Sequence, residues 1–528
     1  MRLRFIALCA VLGLACAGTP ASAASAHEPV APVAFVPLDD RPVTYQLPRM
    51  LGALAGIPVL TPPRASLGHY LEAGNPEAIL RWLNSAETAG AGAVVVSSDM
   101  LAYGGLVASR TPQTAEIDAL VRLRALAEVR AERPEQRFDV FGTVMRLAPT
   151  GVPDAGAAHG YWATGATVDA LQAYANLPDP PQTVADQEKA ARLRGQIGPA
   201  TLAAYQGSRA RNRSVDLFVL QLAAEGSFGH VVLGQDDAGP QGLHLRDLAA
   251  LNSALRAWGL KERASIEPGA DELGMVLVAR AFARASSWTP AVRVVYSRVD
   301  AARVADRLEY VPIDVTISRL IAACGGRRVE SGADLDLYVR VAENGATEET
   351  AFADSLVAAV EAGRSVAVAD LSFLHGPSPS EEQQALVKTL LARGVAARLD
   401  AFASWNTTAN TVGTSLAAAI AAGSGRRLGT YAPRAHAQFM LDRYADDYAF
   451  HQFVRPELNA ALRAAGADTT LLLPQIAREA SSQNRARLWP QALALLQALY
   501  PDYRDAGLVI TLPWDRTFET ELDVRLAG

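Results

Sequence analysis

Residues 230–240 read HVVLGQDDAGP: an apolar run enters at His230, passes through Gln235, and ends in two adjacent carboxylates, Asp236 and Asp237, before a Gly-Pro turn. A short apolar run without period-2 alternation suits a parallel strand covered on both faces. The same form recurs as VAFVP at 33, IPVL at 57, AVVVSS at 93, FDVFGTV at 138 and ASIEP at 264, then VRVVYS at 292, DLYVRV at 336, SVAVAD at 365 and ARLDAFA at 397. Ala/Leu/Arg-rich helical stretches such as NPEAILRWLNSAETAG and TAEIDALVRLRALAEVRAE separate these runs. Strand and helix alternating in this way define an α/β protein with mostly parallel strands. The expected organisation is a barrel-like α/β domain over 30–290, a smaller α/β domain over 291–425 and a helical C-terminal region over 426–528. Six strand units precede the first boundary where a barrel needs eight. Two doubly wound sheets are therefore the alternative.

The chain has 528 residues, half of them hydrophobic and a fifth charged, enough for a large core in several domains. A net charge of −6 leaves no basic footprint for nucleic acid. The N-terminus has a secretory layout: the basic start MRLR, the apolar run FIALCAVLGLACAG, and small residues that allow cleavage after Ala23 or Ala26. Residues 1–26 are accordingly expected to be a signal peptide. The apolar run is too short to span a bilayer, and the mature protein is expected to be exported, to periplasm or medium, with no membrane attachment. Cys9 and Cys16 leave with the signal, so the mature chain keeps Cys324 alone and forms no internal disulfide.

In parallel α/β architectures the loops leaving the carboxyl ends of strands converge on one face. The residues just after each run are therefore the candidate site. They are Asp39, Asp40 and Arg41; Asp99, Tyr103 and Arg110; Arg146; Gln235, Asp236 and Asp237; Asp271 and Glu272; Asp370 and His375; and Trp405, Asn406 and Asn410. Any one Asp after a strand has an ordinary explanation as an N-cap. Doubled carboxylates beside Arg, Asn and Trp exceed what capping needs. Acids that protonate a leaving oxygen and attack or activate water, amides that hold hydroxyls, and an aromatic platform together suit carbohydrate chemistry.

The reading is thus an exported glycoside hydrolase acting on a carbohydrate, with Asp236, Asp237, Asp271 and Glu272 as the acid/base set and the remaining strand-end residues binding the sugar. A Mg²⁺- or Ca²⁺-dependent hydrolase using Asp39, Asp99 and Asp236 is one alternative, and a non-catalytic sugar-binding protein is another. The Gly-x-Ser-x-Gly elbow, the P-loop and His-Glu-x-x-His are absent, and VPLDDRP lacks the glycines of a dinucleotide fingerprint. No cofactor and no metal is expected. The residue pattern defines no oligomeric state.

The motifs VPLDDRP, SDMLAYGGLVASR, PGADELG, ASWNTTANTVGTSLA and LPWDRTFE, in that order, resemble the domain-of-unknown-function 4127 family over about residues 33 to 520. The resemblance implies an α/β protein, exported or soluble, linked to glycan metabolism. A shorter likeness, PGADE at 268–272, is similar to the Gly-Gly-Asp-Glu motif of chitobiase-type β-hexosaminidases, with Ala270 in place of the second Gly. That likeness implies Glu272 as general acid, Asp271 as partner of a 2-acetamido group, and an N-acetylhexosaminide as substrate.

Overall fold

The computed structural model describes residues 30–152, 162–163, 165–374 and 380–528. The signal-peptide expectation over 1–26 and the candidate His375 lie outside these residues. From Ala31 to Gly528 the chain packs as one unit.

Every apolar run named above contains a strand. They are β1 (Val33–Val36), β2 (Val59–Leu60), β3 (Ala93–Ser97) and β4 (Arg137–Val144). A two-residue ladder, β5 (Gly151–Val152) with β6 (Trp162–Ala163), stands apart, followed by β7 (His230–Gln235) and β8 (Ala264–Pro268). The second set is β9 (Ala291–Tyr296), β10 (Arg327–Arg328), β11 (Leu335–Val341), β12 (Val366–Leu371) and β13 (Ala401–Ala403). All pairings within the two large sheets are parallel, in the orders β2-β1-β3-β4-β7-β8 and β10-β9-β11-β12-β13. β2 and β8 are free edges, so the first sheet is open and the barrel-like expectation gives way to two doubly wound sheets. β10 has no apolar run in the sequence because its two residues are both Arg.

The boundary at 290/291 falls where the second sheet begins. Residue 425 lies inside the helix Thr408–Leu428, which stops at Gly429, where φ is +72°. That helix covers the second sheet and packs against helix Leu273–Ala285, which covers the first. Both helices are buried along nearly their whole length. This shared apolar layer, rather than a linker, joins the sheets. The C-terminal region is helical over Pro433–Ala464 and again over Pro474–Leu499, then forms the antiparallel pair Val509–Thr511 with Glu521–Asp523. Between these two strands the chain returns to the first sheet, where the Trp514 indole donates to Asp40 at 2.7 Å.

Candidate functional site

A cavity of about 330 Å³ opens at the carboxyl ends of the first sheet. Its wall takes Arg41 after β1, Arg110 after β3, Arg146 after β4, Gln235–Asp237 at the end of β7 and Gly269–Asp271 after β8. The second sheet adds Arg307 and Glu309 after β9, and Asn406 and Asn410 after β13, while the C-terminal region closes it with Trp514, Arg516 and Phe518. Each sheet reverses direction beside its first strand, between β1 and β3 and between β9 and β11. Open parallel sheets hold ligands in the crevice at such switch points.

The first wall is built around one buried guanidinium. Arg41 donates to both oxygens of Asp271, at 2.6 and 3.0 Å, and to Asp39 at 2.7 Å. Asp39 also accepts from Thr44 Oγ1 at 2.6 Å, so it orients Arg41 from behind the cavity. Asp40 faces the other way, to Trp514 and to His69 Nδ1 at 2.9 Å. Burial opposes ionisation of Asp40, but the His69 and Trp514 hydrogen bonds prevail and hold its carboxyl below the ordinary range. The doublet thus separates into two jobs: Asp39 positions Arg41, and Asp40 positions the aromatic wall.

The second doublet enters the cavity itself. Asp236 accepts from Arg110 at 2.5 Å. Asp237 lies 3.6 Å from Arg146, too far for a direct hydrogen bond. Burial, then the charge of Asp236, pushes Asp237 up to about 6. Two neighbouring carboxyls therefore differ in environment, one bridged by Arg and one left protonatable, which is the division acid/base chemistry requires. Arg146 itself is pulled down to about 10, by burial first and by Arg110 next.

Glu272 is not part of the lining. It is fully buried, and its Oε2 accepts from Asn410 Nδ2 at 2.6 Å and from the Ala270 N–H at 3.2 Å, while Oε1 has no partner. Burial pushes it up to about 8. Gly269, with φ +97°, lets the backbone pass beside it; a Cβ there would stand 2.0 Å from Glu272 Oε1. Asn406, itself at φ +56°, donates to Asn410 at 2.6 Å. Glu272, Asn410 and Asn406 thus form a chain running from the core to the cavity surface.

Other candidates take structural positions. Asp99 is buried behind the cavity, accepts from the Thr143 N–H at 2.8 Å and Oγ1 at 3.0 Å, and is pushed up to about 7 by burial. Tyr103 is buried beneath the Arg211 guanidinium, 4.6 Å from its ring. Trp405 donates its indole N–H to Thr414 at 3.2 Å and lines a small separate pocket with Arg443 and His451. Asp370 lies at 0% exposure within strand β12 of the second sheet, paired with Arg340 at 3.1 Å, and does not line the cavity. Asp39, Asp99 and Asp236, the carboxylates of the metal reading, are each tied to a different partner. No group of three metal-ligating side chains occurs among the described residues.

Sequence reasoning missed Arg307, Glu309, Trp514, Arg516 and Phe518. Arg307 and Glu309 lie in VADRLEY, where no strand immediately precedes them. Glu309 accepts from the Ala409 N–H at 2.6 Å and from Thr316 Oγ1 at 2.7 Å, and burial pushes it up to about 8. Trp514, Arg516 and Phe518 come from LPWDRTFE, whose Trp and paired charges were the available signal. Trp514 stacks on Tyr70 at 5.1 Å, and Arg516 lies 4.6 Å over its ring and bonds Glu519.

The fold and site define an α/β protein of two open parallel sheets that share a charged cavity with an aromatic wall. Residues 33–523 match the family model described as "Protein of unknown function (DUF4127)", and the chain belongs to that family. No curated protein matches it. Among solved structures, "Structure of the carboxyl transferase domain from Rhizobium etli pyruvate carboxylase" is similar at 13% identity and a TM-score of 0.19, covering 83% of this chain and 54% of that one. The chain thus spans about half the length of that structure, and a likeness at this level carries no argument. None of these comparisons extends the hexosaminidase likeness of Gly269–Glu272. No helix among the described residues is long and apolar enough to cross a membrane.

Proposed function

We propose that the protein is an exported glycoside hydrolase whose proton donor is Asp237. The observation that carries the reading is the split pair: Asp236 bridged by Arg110, and Asp237 beside it, unbridged and pushed up to about 6, in one cavity. Asp237 would protonate the glycosidic oxygen, and Asp236 or Asp271 would serve as the partner carboxylate. Asn406 and Asn410 would hold hydroxyls. Phe518 would take the role of sugar platform first assigned to Trp405, because Trp514 is buried with Tyr70 stacked on its ring and Arg516 over it. Glu272, buried and turned toward Asn410, supports the amide chain and is a poorer donor than the hexosaminidase likeness implies. Export rests on the N-terminal layout MRLR–FIALCAVLGLACAG–TPASAASA.

The test is hydrolysis of a panel of aryl glycosides, N-acetylhexosaminides included, by the mature chain with and without EDTA. The expected result is EDTA-resistant turnover that falls by about 10²- to 10⁴-fold in Asp237→Asn. Turnover abolished by EDTA and restored by Mg²⁺ or Ca²⁺ would move the carboxylates to metal ligation. Turnover unchanged in Asp237→Asn but lost in Glu272→Gln would return the donor role to Glu272.

A further inference from the structure

Five guanidinium groups line the cavity: Arg41, Arg110, Arg146, Arg307 and Arg516. Arg41 is committed to Asp39 and Asp271, and Arg516 to Glu519. The other three are unsaturated. Arg110, 5% exposed, gives one N–H to Asp236, and its buried Nε has no partner. Arg146 gives its Nε to the Ala148 carbonyl at 3.0 Å and stands off from Asp237. Arg307 is exposed and makes no ion pair among the described residues.

The facing acids leave N–H donors open on all three. Of the four carboxyls in the lining, Asp271 is taken by Arg41, and Glu309 by Ala409 and Thr316. Asp236 and Asp237 face the three guanidiniums, and of the two only Asp236 makes a direct hydrogen bond to any of them. Each guanidinium offers five N–H donors in a planar fork that matches carboxylate, sulfate and phosphate oxygens. Burial first, and the like charge of Arg110 next, disfavour the charged form of Arg146. An anionic group from outside would relieve that repulsion and satisfy the open donors.

We propose that Arg110, Arg146 and Arg307 form an anion subsite within the cavity, taking the carboxylate, sulfate ester or phosphate ester of an acidic sugar. The inference rests on the hydrolase reading for the sugar and on the three arginines for the charge. An anion there sits beside Asp237 and favours its protonated form, so the subsite and the proton donor act together.

Calorimetric titration of the mature chain tests this with matched sugars at low ionic strength: glucuronic acid against glucose, galacturonic acid against galactose, and glucose 6-phosphate and glucose 6-sulfate against glucose. The expected result is that at least one acidic sugar binds about tenfold or more tightly than its neutral partner. The acidic sugar that binds tightest identifies the anion. Arg146→Gln and Arg307→Gln should each erase most of the preference. Arg307 is exposed, so its variant stays folded and keeps the test meaningful if Arg146→Gln does not. Equal affinity within each pair, or no binding of any acidic sugar, overturns the subsite. Acidic preference without turnover of any glycoside keeps the subsite and removes the hydrolase reading. Turnover of neutral glycosides with no gain from an acidic substituent does the reverse.

Discussion

Replacing Glu272 by Gln should make the protein more stable at alkaline pH and little different in acid. The side chain is fully buried, one oxygen has no partner, and burial pushes it from an ordinary 4.5 up to about 8. A carboxyl whose folded pKa is raised contributes stability that is fully present below its unfolded pKa. That stability is lost as pH rises to the folded value. Across the gap from 4.5 to about 8 the loss amounts to about 5 kcal/mol as an upper figure, at 1.36 kcal/mol per pKa unit. Gln presents an oxygen to Asn410 and the Ala270 N–H as the neutral acid does, and it cannot ionise. The two proteins should therefore agree within about 1 kcal/mol near pH 5, and the variant should lead by about 3–5 kcal/mol near pH 9. For a folded unit running from Ala31 to Gly528, an unfolding entropy of about 2.1 cal/mol/K per residue turns that into roughly 3–5 °C in Tm. Differential scanning calorimetry across this pH range reads it directly. Parallel Tm–pH curves for the two proteins would refute the reasoning, because they would mean that Glu272 does not change protonation between them.

Three further outcomes follow from the same contacts. Arg41→Ala leaves Asp39 and Asp271 buried without their shared guanidinium and should cost about 3–5 kcal/mol in urea unfolding, as loss of one partner of a buried ion pair does. Gly413→Ala places a Cβ 2.4 Å from Glu272 Cγ and should destabilise by about 1–3 kcal/mol. At an unobstructed position in a helix interior the same change would stabilise by about 1 kcal/mol, so the sign decides. Any hydrolysis dependent on Asp237 as acid should weaken as pH rises through about 6, and Asp237→Asn should remove that limb from the kcat/KM profile.

Much of the cavity lining was legible in the sequence. Arg41, Arg110, Arg146, Asp236, Asp237, Asp271, Asn406 and Asn410 follow apolar runs, and all of them line one cavity. The rule works because parallel strands must send their carboxyl ends the same way. It fails at Asp370, which lies within β12 and is paired with Arg340 of the neighbouring strand. It fails again at Trp405, whose indole is captured by Thr414, the seventh residue of the helix that follows. A strand end specifies where a side chain starts, while its neighbours specify where it points.

The sequence by itself determined the strands, the helices between them and the strand-end polar residues, because buried parallel strands and amphipathic helices are written in local apolar periodicity. Strand order is not written there. Only the tertiary structure decided that β1 lies between β2 and β3, and so that the sheet stays open. It alone also brought Trp514 to Asp40 across most of the chain, and set Glu309 against the start of the helix that begins at Thr408. These contacts join residues 474 and 100 positions apart. The packing between helices Leu273–Ala285 and Thr408–Leu428, which joins the two sheets, is likewise an interaction that no local window of sequence contains.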